Sequence, residues 1–369
     1  MFIKKTSPNI TKPVYFKGLN GIRAIASIIV VIWHTDQKSY LFGAEKVGFH
    51  KNGMAGNAVD MFFVLSGFLI TYLLLIEKER TNTIDFKKYY LRRIFRIWPL
   101  YYLSIFITLV LIYFKVVPDV LNLGYSIFLY LFLMVNVAYV LKVAISTITP
   151  LWSVGVEEQF YLIWPHVIKR TSNYIKVFVL IFFGYLLLKT LVYVFFTPSS
   201  YLFNIIAFTR IDIMCLGAIG AYLVYSKNTI LKYIYRKDIQ IIAWLVLLYS
   251  VVFEPLHIIS FLDKEINAFF YFIIILNVST NTKSLLSLEH NLFNFFGKIS
   301  YGIYVYHMIV IYLLSYFLKK YTIEINHPAI FILVFLSTIL VAWLSFNWFE
   351  KPFLKMKHRF TVIDSTNTK

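Results

Sequence analysis

The sequence is short of charged residues and of cysteine, and each shortage excludes a class of protein. Only 15% of its 369 residues are charged, whereas ordinary soluble domains have about 25%. A water-soluble fold needs more polar surface than this, and a disordered chain needs far fewer than the 59% hydrophobic residues found here. The lone cysteine, Cys215, lies in an apolar stretch, which excludes an internal disulfide and a cysteine-rich metal site.

Apolar stretches of membrane-spanning length recur from one end of the chain to the other, and they predict an all-α, polytopic membrane protein. We expect a cytoplasmic lead over residues 1–17, a membrane domain over 18–350 and a basic cytoplasmic tail over 351–369. The apolar segments lie near residues 22–36, 57–76, 99–117, 124–141, 153–168, 174–196, 204–225, 239–253, 258–279, 299–318 and 328–348.

The net charge of +18 comes from 36 basic and 18 acidic residues. Soluble proteins this basic often bind nucleic acid, but these lysines and arginines gather in loops between apolar segments, as expected of cytoplasmic loops. We therefore expect no nucleic-acid partner, and both basic ends of the chain inside. Two ends on one side require an even number of crossings, which predicts about ten membrane helices. One of the three apolar segments between residues 97 and 168 then does not span.

Ionisable residues inside apolar segments are costly and are candidates for function. Arg23 and His34 are eleven residues apart, which places them on one face of a helix and roughly 16 Å apart along its axis. A cation at the membrane surface and an imidazole at depth suit an anionic donor that reaches inward. The alternative is a snorkelling arginine and a packed histidine. Asp60, on the next segment, could orient the imidazole of His34 or cap a helix.

Arginines and acidic residues cluster in two further places. Arg93 and Arg96 are three residues apart and, with Arg92, can converge on one patch suited to phosphate recognition. The alternative is an anchor that binds lipid headgroups. Glu157 and Glu158 are adjacent, so they point in different directions along a helix, and we expect separate partners, with arginines on other helices as candidates.

Two more apolar segments contain polar residues. The spacing of Thr209 and Asp212 around Arg210 resembles a capping box and predicts a membrane helix that is broken there. Tyr304 and His307 share a helical stripe with Ser300, which could line a polar pocket, although His307 could also be a hydrogen-bonded core residue. Glu350 is interpreted as a charge at a membrane boundary.

In their order along the chain, these residues resemble the acyltransferase-3 family of integral membrane acyltransferases. The resemblance covers about residues 15–355 and rests on a series of motifs. They are Arg23-x10-His34, VDMFFVLSGFLIT (59–71), RRIFRIWP (92–99), WSVGVEEQFYLIWP (152–165), TRIDIMCLG (209–217), ISYGIYVYH (299–307) and FEKP (349–352).

The resemblance implies ten membrane helices and transfer of an acyl group, usually acetyl, from cytoplasmic acyl-CoA to a hydroxyl of an envelope glycan or a similar acceptor. It also implies that Arg23, His34, Arg93 and Arg96 are needed for activity. Gly155 is a departure, because relatives often have serine there, and a serine nucleophile at 155 is therefore in doubt. Some members carry a fused extracytoplasmic hydrolase-like domain. We expect this chain to act without one, alone or with a separate partner, in the inner (cytoplasmic) membrane.

The resulting hypothesis assigns a role to each candidate. Arginines 23, 93 and 96 hold the phosphates of acetyl-CoA or another acyl-CoA, and His34 is the general base on the acceptor hydroxyl. An acyl-histidine relay is the alternative chemistry. No zinc-ligand spacing is present, so no metal is expected. The remaining candidates either orient His34 or line the substrate pocket: Asp60, Glu157 and Glu158 for the first role, and Trp152, Ser153, Arg210, Asp212, Tyr304 and His307 for the second.

Other classes of function remain open from the sequence. A transporter or flippase of an envelope lipid or glycan would use intramembrane charges as a substrate path or proton relay. No internal repeat is detectable, which counts against it. A sensor or scaffold does not account for so many ordered motifs. The acceptor, the acyl group and the oligomeric state are not readable.

Overall fold

The fold is entirely helical over the part of the chain that can be described. The computed structural model describes residues 14–49, 53–118, 120, 122–197, 199–253 and 255–363, and these contain α-helices, short 3₁₀ and π-helical turns, and no strand. Most of the lead over 1–17 and the last six residues of the tail over 351–369 lie outside the described residues.

The α-helices are numbered in chain order. They are α1 Leu19–Gln37, α2 Met54–Thr81, α3 Phe86–Tyr113, α4 Leu123–Leu131, α5 Val135–Val140, α6 Leu151–Arg170, α7 Tyr174–Phe195, α8 Tyr201–Thr209, α9 Ile211–Tyr225, α10 Leu231–Ile234, α11 Lys237–Val252, α12 Asp263–Thr280, α13 Asn291–Lys320, α14 His327–Ser345 and α15 Lys351–His358. A π-helical turn, Phe346–Glu350, joins α14 to α15, and 3₁₀ turns occupy Ser39–Phe42 and Ser146–Ile148.

Six helical stretches among the described residues are long and apolar enough to cross a membrane, so the chain is a multi-pass membrane protein. Ten crossings, and the cytoplasmic location of both chain ends, stay predictions. The six stretches are Met54–Thr81, Phe86–Tyr113, Tyr174–Phe195, Tyr201–Tyr225, Asn291–Lys320 and His327–His358.

The apolar segment 124–141 is not among the six membrane-length stretches of the described residues, and it does not form one continuous helix. It is divided into α4, of 9 residues, and α5, of 6 residues. Leu133, between them, has a positive φ of 60°. A nine-residue helix is about 14 Å long, whereas the hydrocarbon core is about 30 Å thick.

Helices α2 and α9 pack with their backbones in direct contact, because glycines face each other across the interface. A Cβ atom on Gly67 would lie 1.9 Å from the Met214 carbonyl oxygen, and one on Gly217 would lie 2.1 Å from the Val64 carbonyl oxygen. Only hydrogen fits at such positions, as is common where membrane helices approach closely. This contact fixes the position of α2 relative to the start of α9.

The predicted break in the membrane helix over 204–225 is present. Helix α8 ends at Thr209 and α9 begins at Ile211, and Arg210 between them has left-handed φ and ψ of 50° and 28°. The predicted capping box is wrong, because the Thr209 hydroxyl donates instead to the Ile205 carbonyl at 2.7 Å. The Asp212 carboxylate accepts from the backbone N–H of Ile213 at 2.9 Å.

Candidate active site

A cavity of about 770 Å³, here called the central cavity, lies between α1, α2, α3, α6, α13 and the C-terminal segment. Its charged lining residues are mostly basic, and its deep end is polar. The charged residues are Arg23, Glu77, Arg92, Arg93, Arg96, Glu157, Lys298, Glu350 and Lys357. The polar residues at its deep end include Ser153 and Tyr304.

Arg23, Arg93 and Arg96 all line the central cavity, so the structure brings these predicted residues together from α1 and α3. None of the three forms an ion pair with a carboxylate in the described part of the chain. Nε of Arg93 is buried without a hydrogen-bond partner. The Arg93 guanidinium lies over the rings of Tyr161 and Tyr89, at 5.3 and 5.9 Å from their centroids. These guanidinium groups therefore have donors available for an anionic ligand.

Arg92 differs from its neighbours, although it also contacts the cavity. Its guanidinium donates to Glu77 at 2.7 Å and to the Phe360 carbonyl at 2.9 Å. These bonds tie α3 to the end of α2 and to the C-terminal segment. The Arg92 side chain is thus held by hydrogen bonds within the protein, whereas Nε of Arg93 has no such partner among the described residues.

Glu157 and Glu158 face different environments, as expected for adjacent helical residues. Glu157 lines the central cavity and accepts hydrogen bonds from Ser66 at 2.6 Å and Tyr161 at 3.2 Å. Glu158 accepts from the Trp98 indole at 2.8 Å, and its second oxygen is buried without a partner. The hydrogen-bond partners are hydroxyls and an indole rather than the arginines we considered.

The deep end of the central cavity is closed by Tyr304. Its hydroxyl donates to the Pro150 carbonyl at 2.8 Å and lies 2.7 Å from Ser153 Oγ, from which it can accept. These bonds link α13 to the start of α6. The Trp152 ring, beside Ser153, packs instead against Phe63 of α2, with ring centroids 5.9 Å apart.

His34 and His307 form a pair beyond Tyr304. Their ring centroids are 4.9 Å apart, and the Tyr304 and His307 centroids are 5.9 Å apart. Nδ1 of His34 lies 3.0 Å from the Val30 carbonyl and 3.3 Å from Nε2 of the fully buried His307. Because a carbonyl can only accept, this Nδ1 carries the hydrogen, and Nε2 of His34 keeps its lone pair. Neither histidine lines the central cavity itself.

Asp60 does not contact His34 in the described structure, which differs from the predicted pairing. Its carboxylate oxygens lie 3.5 Å from Arg210 Nε and 4.0 Å from Lys264 Nζ. The glycine-packed contact of α2 with α9 is the physical reason, since it places Asp60 beside the helix break, where a cation compensates its burial. His307, on α13, lies where a carboxylate was expected.

Asp60 belongs to a charge cluster away from the wall of the central cavity. Lys189 donates to Glu265 at 2.5 Å, and the Asp212 and Glu265 side chains interact. Arg210 and Asp212, predicted to line a substrate pocket, lie in this cluster. Its members are Asp60, Lys189, Arg210, Asp212, Lys264 and Glu265.

Sequence reasoning missed several cavity residues, of which Glu350 is the clearest. It is only 9% exposed, lines the central cavity and accepts from Ser345 at 3.3 Å, which its interpretation as a charge at a membrane boundary did not include. The π-helical turn that ends at Glu350 directs it inward. Such turns often occur at functional sites, but their hydrogen-bond register is not readable from the FEKP motif. The sequence motifs gave no reason to select three other residues that line the central cavity, Lys298, Tyr161 and Ser66.

Gly155 has a structural explanation. A Cβ atom there would lie 2.7 Å from the carbonyl oxygen of Leu133, in the break between α4 and α5. A serine in this backbone would displace that break. As to metal ions, the described residues contain no group of three or more histidine, cysteine, aspartate or glutamate side chains that could hold one.

Comparison with known proteins finds similar sequences among O-acetyltransferases. The O-acetyltransferase OatA of Staphylococcus aureus (strain NCTC 8325 / PS 47) is 29% identical over 369 residues, covering 93% of this chain and 58% of the relative. The peptidoglycan O-acetyltransferase OatA of Listeria monocytogenes is 29% identical over 376 residues, covering 92% and 56%. The chain thus spans just over half the length of these curated relatives. No solved structure matches it significantly.

A family model described as an acyltransferase domain matches residues 16–346. The matched range includes the three arginines of the central cavity and the histidine pair beyond it. Since this range is most of the 369-residue chain, the protein belongs to the acyltransferase-3 family of integral membrane acyltransferases.

Proposed function

We propose that this protein is a membrane O-acyltransferase that moves an acyl group from cytoplasmic acyl-CoA to a hydroxyl of an envelope polysaccharide or lipid-linked glycan, in the inner membrane. One observation carries the proposal. A cavity with three arginines that form no ion pair with any described carboxylate leads to a tyrosine and, beyond it, to a pair of histidines. The relatives' names, O-acetyltransferase and peptidoglycan O-acetyltransferase, support acetyl as the group and an envelope glycan as the acceptor.

The arginines are the proposed donor site. Guanidinium groups donate paired hydrogen bonds to phosphate oxygens, and acyl-CoA carries several phosphates. Arg93 and Arg96 lie in a cavity between helices, which suits a soluble ligand entering from the cytoplasm better than a lipid headgroup anchor at the bilayer surface. The flexible thioester arm then extends along α1 from Arg23 toward His34, roughly 16 Å along the axis.

His34 is the proposed general base. Nε2 takes the proton of the acceptor hydroxyl, the hydroxyl oxygen attacks the thioester carbonyl, and the carbon–sulfur bond breaks. The imidazolium then returns the proton to the leaving thiolate. The Nδ1–H of His34 donates to the Val30 carbonyl at 3.0 Å and can also be shared with the lone pair of His307 Nε2 at 3.3 Å, and these acceptors hold the ring in this tautomer. Because Tyr304 closes the cavity, the proposal requires its side chain to move when the donor is bound.

Acyl-CoA turnover by purified protein in detergent tests the proposal. Release of free thiol from acetyl-CoA, with a glycan acceptor present, is expected for the wild type and is lost in His34→Ala. His257→Ala, which changes a largely exposed loop histidine outside the cavity, is the matched control and keeps the wild-type rate. Full activity of His34→Ala refutes the role of His34. A wild type that binds a glycan but consumes no acetyl-CoA favours a transporter or flippase.

Labelling separates direct transfer from the relay. The wild type is incubated with radiolabelled acetyl-CoA without acceptor and then denatured. Radiolabel that stays on the denatured wild-type protein, but is absent from denatured His34→Ala, indicates an acyl-histidine intermediate. An unlabelled chain from an enzyme that is active with acceptor indicates direct transfer.

A further inference from the structure

A second cavity of about 510 Å³, here called the side cavity, opens between α5, α8 and the segment that precedes α6. Its lining is aromatic and polar, and Lys142 is its one charged residue within the part of the chain that the structure describes. The lining residues are Tyr139, Val140, Lys142, Ala144, Thr149, Ser199, Tyr201, Asn204 and Phe208.

The side cavity and the central cavity meet at the start of α6. Thr149 lines the side cavity, and Ser153, four residues later, lines the central cavity. Glu157 and Tyr161 continue the wall of the central cavity along the same helix toward its basic end at Arg170. The two cavities therefore approach each other from opposite directions along α6.

Residues 150–152 lie between Thr149 of the side cavity and Ser153 of the central cavity. On one side, the Pro150 carbonyl accepts from Tyr304. On the other, the Trp152 ring packs against Phe208 and Tyr139, with centroids 5.2 and 6.2 Å away, and both of these line the side cavity. A ligand in the side cavity thus lies next to the residues that close the deep end of the central cavity.

The chemistry of the side cavity suits a sugar. Aromatic faces attract the polarised C–H groups of a pyranose ring. The hydroxyls of Thr149 and Ser199 already donate within the chain, at 2.9 and 3.2 Å, but their oxygens can still accept hydrogen bonds from sugar hydroxyls. Its volume lies within the range of about 300–1,000 Å³ that is typical of small-ligand sites. No carboxylate is among the described residues of the lining, and Lys142 favours a neutral or anionic ring over a cationic one.

We propose that the side cavity is the acceptor site and that it binds a pyranose ring of a glycan, with Tyr201 and Phe208 as the stacking residues. This inference rests on the proposed function and adds where the acceptor binds and through which residues. The donor and the acceptor then enter by separate routes and meet at Tyr304 and the histidine pair.

Kinetics with a defined acceptor test the proposal. The probe is chitotetraose, a neutral tetramer of N-acetylhexosamine, with acetyl-CoA as donor. Tyr201→Ala is expected to raise KM for chitotetraose about tenfold, corresponding to one lost aromatic contact, and to leave KM for acetyl-CoA unchanged. Tyr201 is 61% exposed, so folding should tolerate the change. Tyr249→Ala, at a tyrosine of α11 that is 48% exposed and outside both cavities, is the matched control.

Phe208→Ala is the second variant and should act in the same direction as Tyr201→Ala. Acceptor KM values within twofold of wild type in both variants overturn the proposal. An equal rise in both KM values also overturns it, because that result indicates general damage.

Binding without donor separates this inference from the proposed function. Calorimetric titration of chitotetraose into the 369-residue chain in detergent is expected to show saturable binding that is lost in Tyr201→Ala and kept in Tyr249→Ala. Absence of saturable binding to the wild type overturns the acceptor site, whatever the acyl-CoA assay shows. Glycan binding with this residue dependence, but without acyl-CoA turnover, supports the site and refutes the proposed chemistry.

Discussion

Replacing Arg93 by glutamine separates a ligand-binding arginine from a structural one. Arg93 lines the central cavity, its Nε has no partner, and no carboxylate among the described residues pairs with it. Glutamine keeps a planar polar group but removes the charge and shortens the side chain. The neighbouring Arg92→Gln is the control, because Arg92 already donates to Glu77 at 2.7 Å and to the Phe360 carbonyl at 2.9 Å.

The size of the effect follows from the bonds that a phosphate would lose. A hydrogen bond that involves a charged group contributes about 1.5–3 kcal/mol, and about 1.4 kcal/mol corresponds to a tenfold change in binding. Arg93→Gln should therefore raise KM for acetyl-CoA roughly 10- to 150-fold, with a smaller change in kcat. Arg92→Gln should lower thermal stability, since it leaves the buried Glu77 without its ion-pair partner, and change the donor KM far less.

Initial rates of thiol release over a range of acetyl-CoA concentrations provide the measurement. Dephospho-CoA esters, which lack one phosphate, should show a smaller difference between wild type and Arg93→Gln if that phosphate is the group bound. Equal increases in donor KM for Arg92→Gln and Arg93→Gln, or an unchanged KM for Arg93→Gln, would refute the assignment of the unpaired arginines to the donor.

Three predictions concern stability, measured by thermal denaturation in detergent with a thiol-reactive dye that reports exposure of the single buried cysteine. Gly155→Ser should destabilise the protein by about 1–3 kcal/mol, because a Cβ atom at this position would lie 2.7 Å from a backbone oxygen. The control Gly184→Ser should have little effect, since no described atom lies within 4 Å of its Cβ position. Equal melting temperatures of the two variants would contradict this prediction. Lys189→Met should lower the free energy of unfolding by about 3–5 kcal/mol, because it leaves the buried Glu265 without its cation. The double variant Lys189→Met/Glu265→Leu should recover most of this loss. A double variant that is no more stable than the single one would be inconsistent with this account. Burial raises the pKa of Glu289, but hydrogen bonds from a tyrosine hydroxyl, a backbone amide and an asparagine outweigh burial and bring the pKa below the ordinary 4.5. The stabilisation from the Glu289 carboxylate is therefore present above that pH and is lost as the pH falls through the lower pKa of the folded state. Glu289→Gln should abolish this part of the acid sensitivity, and an unchanged dependence of melting temperature on pH would argue against this role.

The histidine pair shows how far sequence reasoning extends. The eleven-residue spacing predicts that Arg23 and His34 share a helix face, because the helical period is a local property of the chain. The partner of His34 was not predictable in this way. His307 is 273 positions away along the chain, and only the packing of α1 against α13 brings the two rings together.

The neighbours of the acidic candidates were also not predictable from the sequence. Asp60 was expected near His34 because two antiparallel helices would place them at similar depth. Depth does not determine which neighbour a side chain faces, and the contact of Gly67 with α9 turns Asp60 toward Arg210. Similarly, the sequence Glu157-Glu158 predicts divergent directions but not that Glu157 is the one facing the central cavity.

The sequence by itself determined the membrane class, the helical architecture, the break at Arg210 and the basic clusters, since these depend on hydropathy, charge and spacing over a few helical turns. The tertiary structure decided that 124–141 forms two short helices and that Arg92 forms an ion pair with Glu77, whereas Arg93 forms none with any described carboxylate. It also decided that Thr149 and Ser153, at the start of α6, line two different cavities. These outcomes depend on contacts between helices far apart in the chain, where a close approach of backbones selects one neighbour among several of similar polarity.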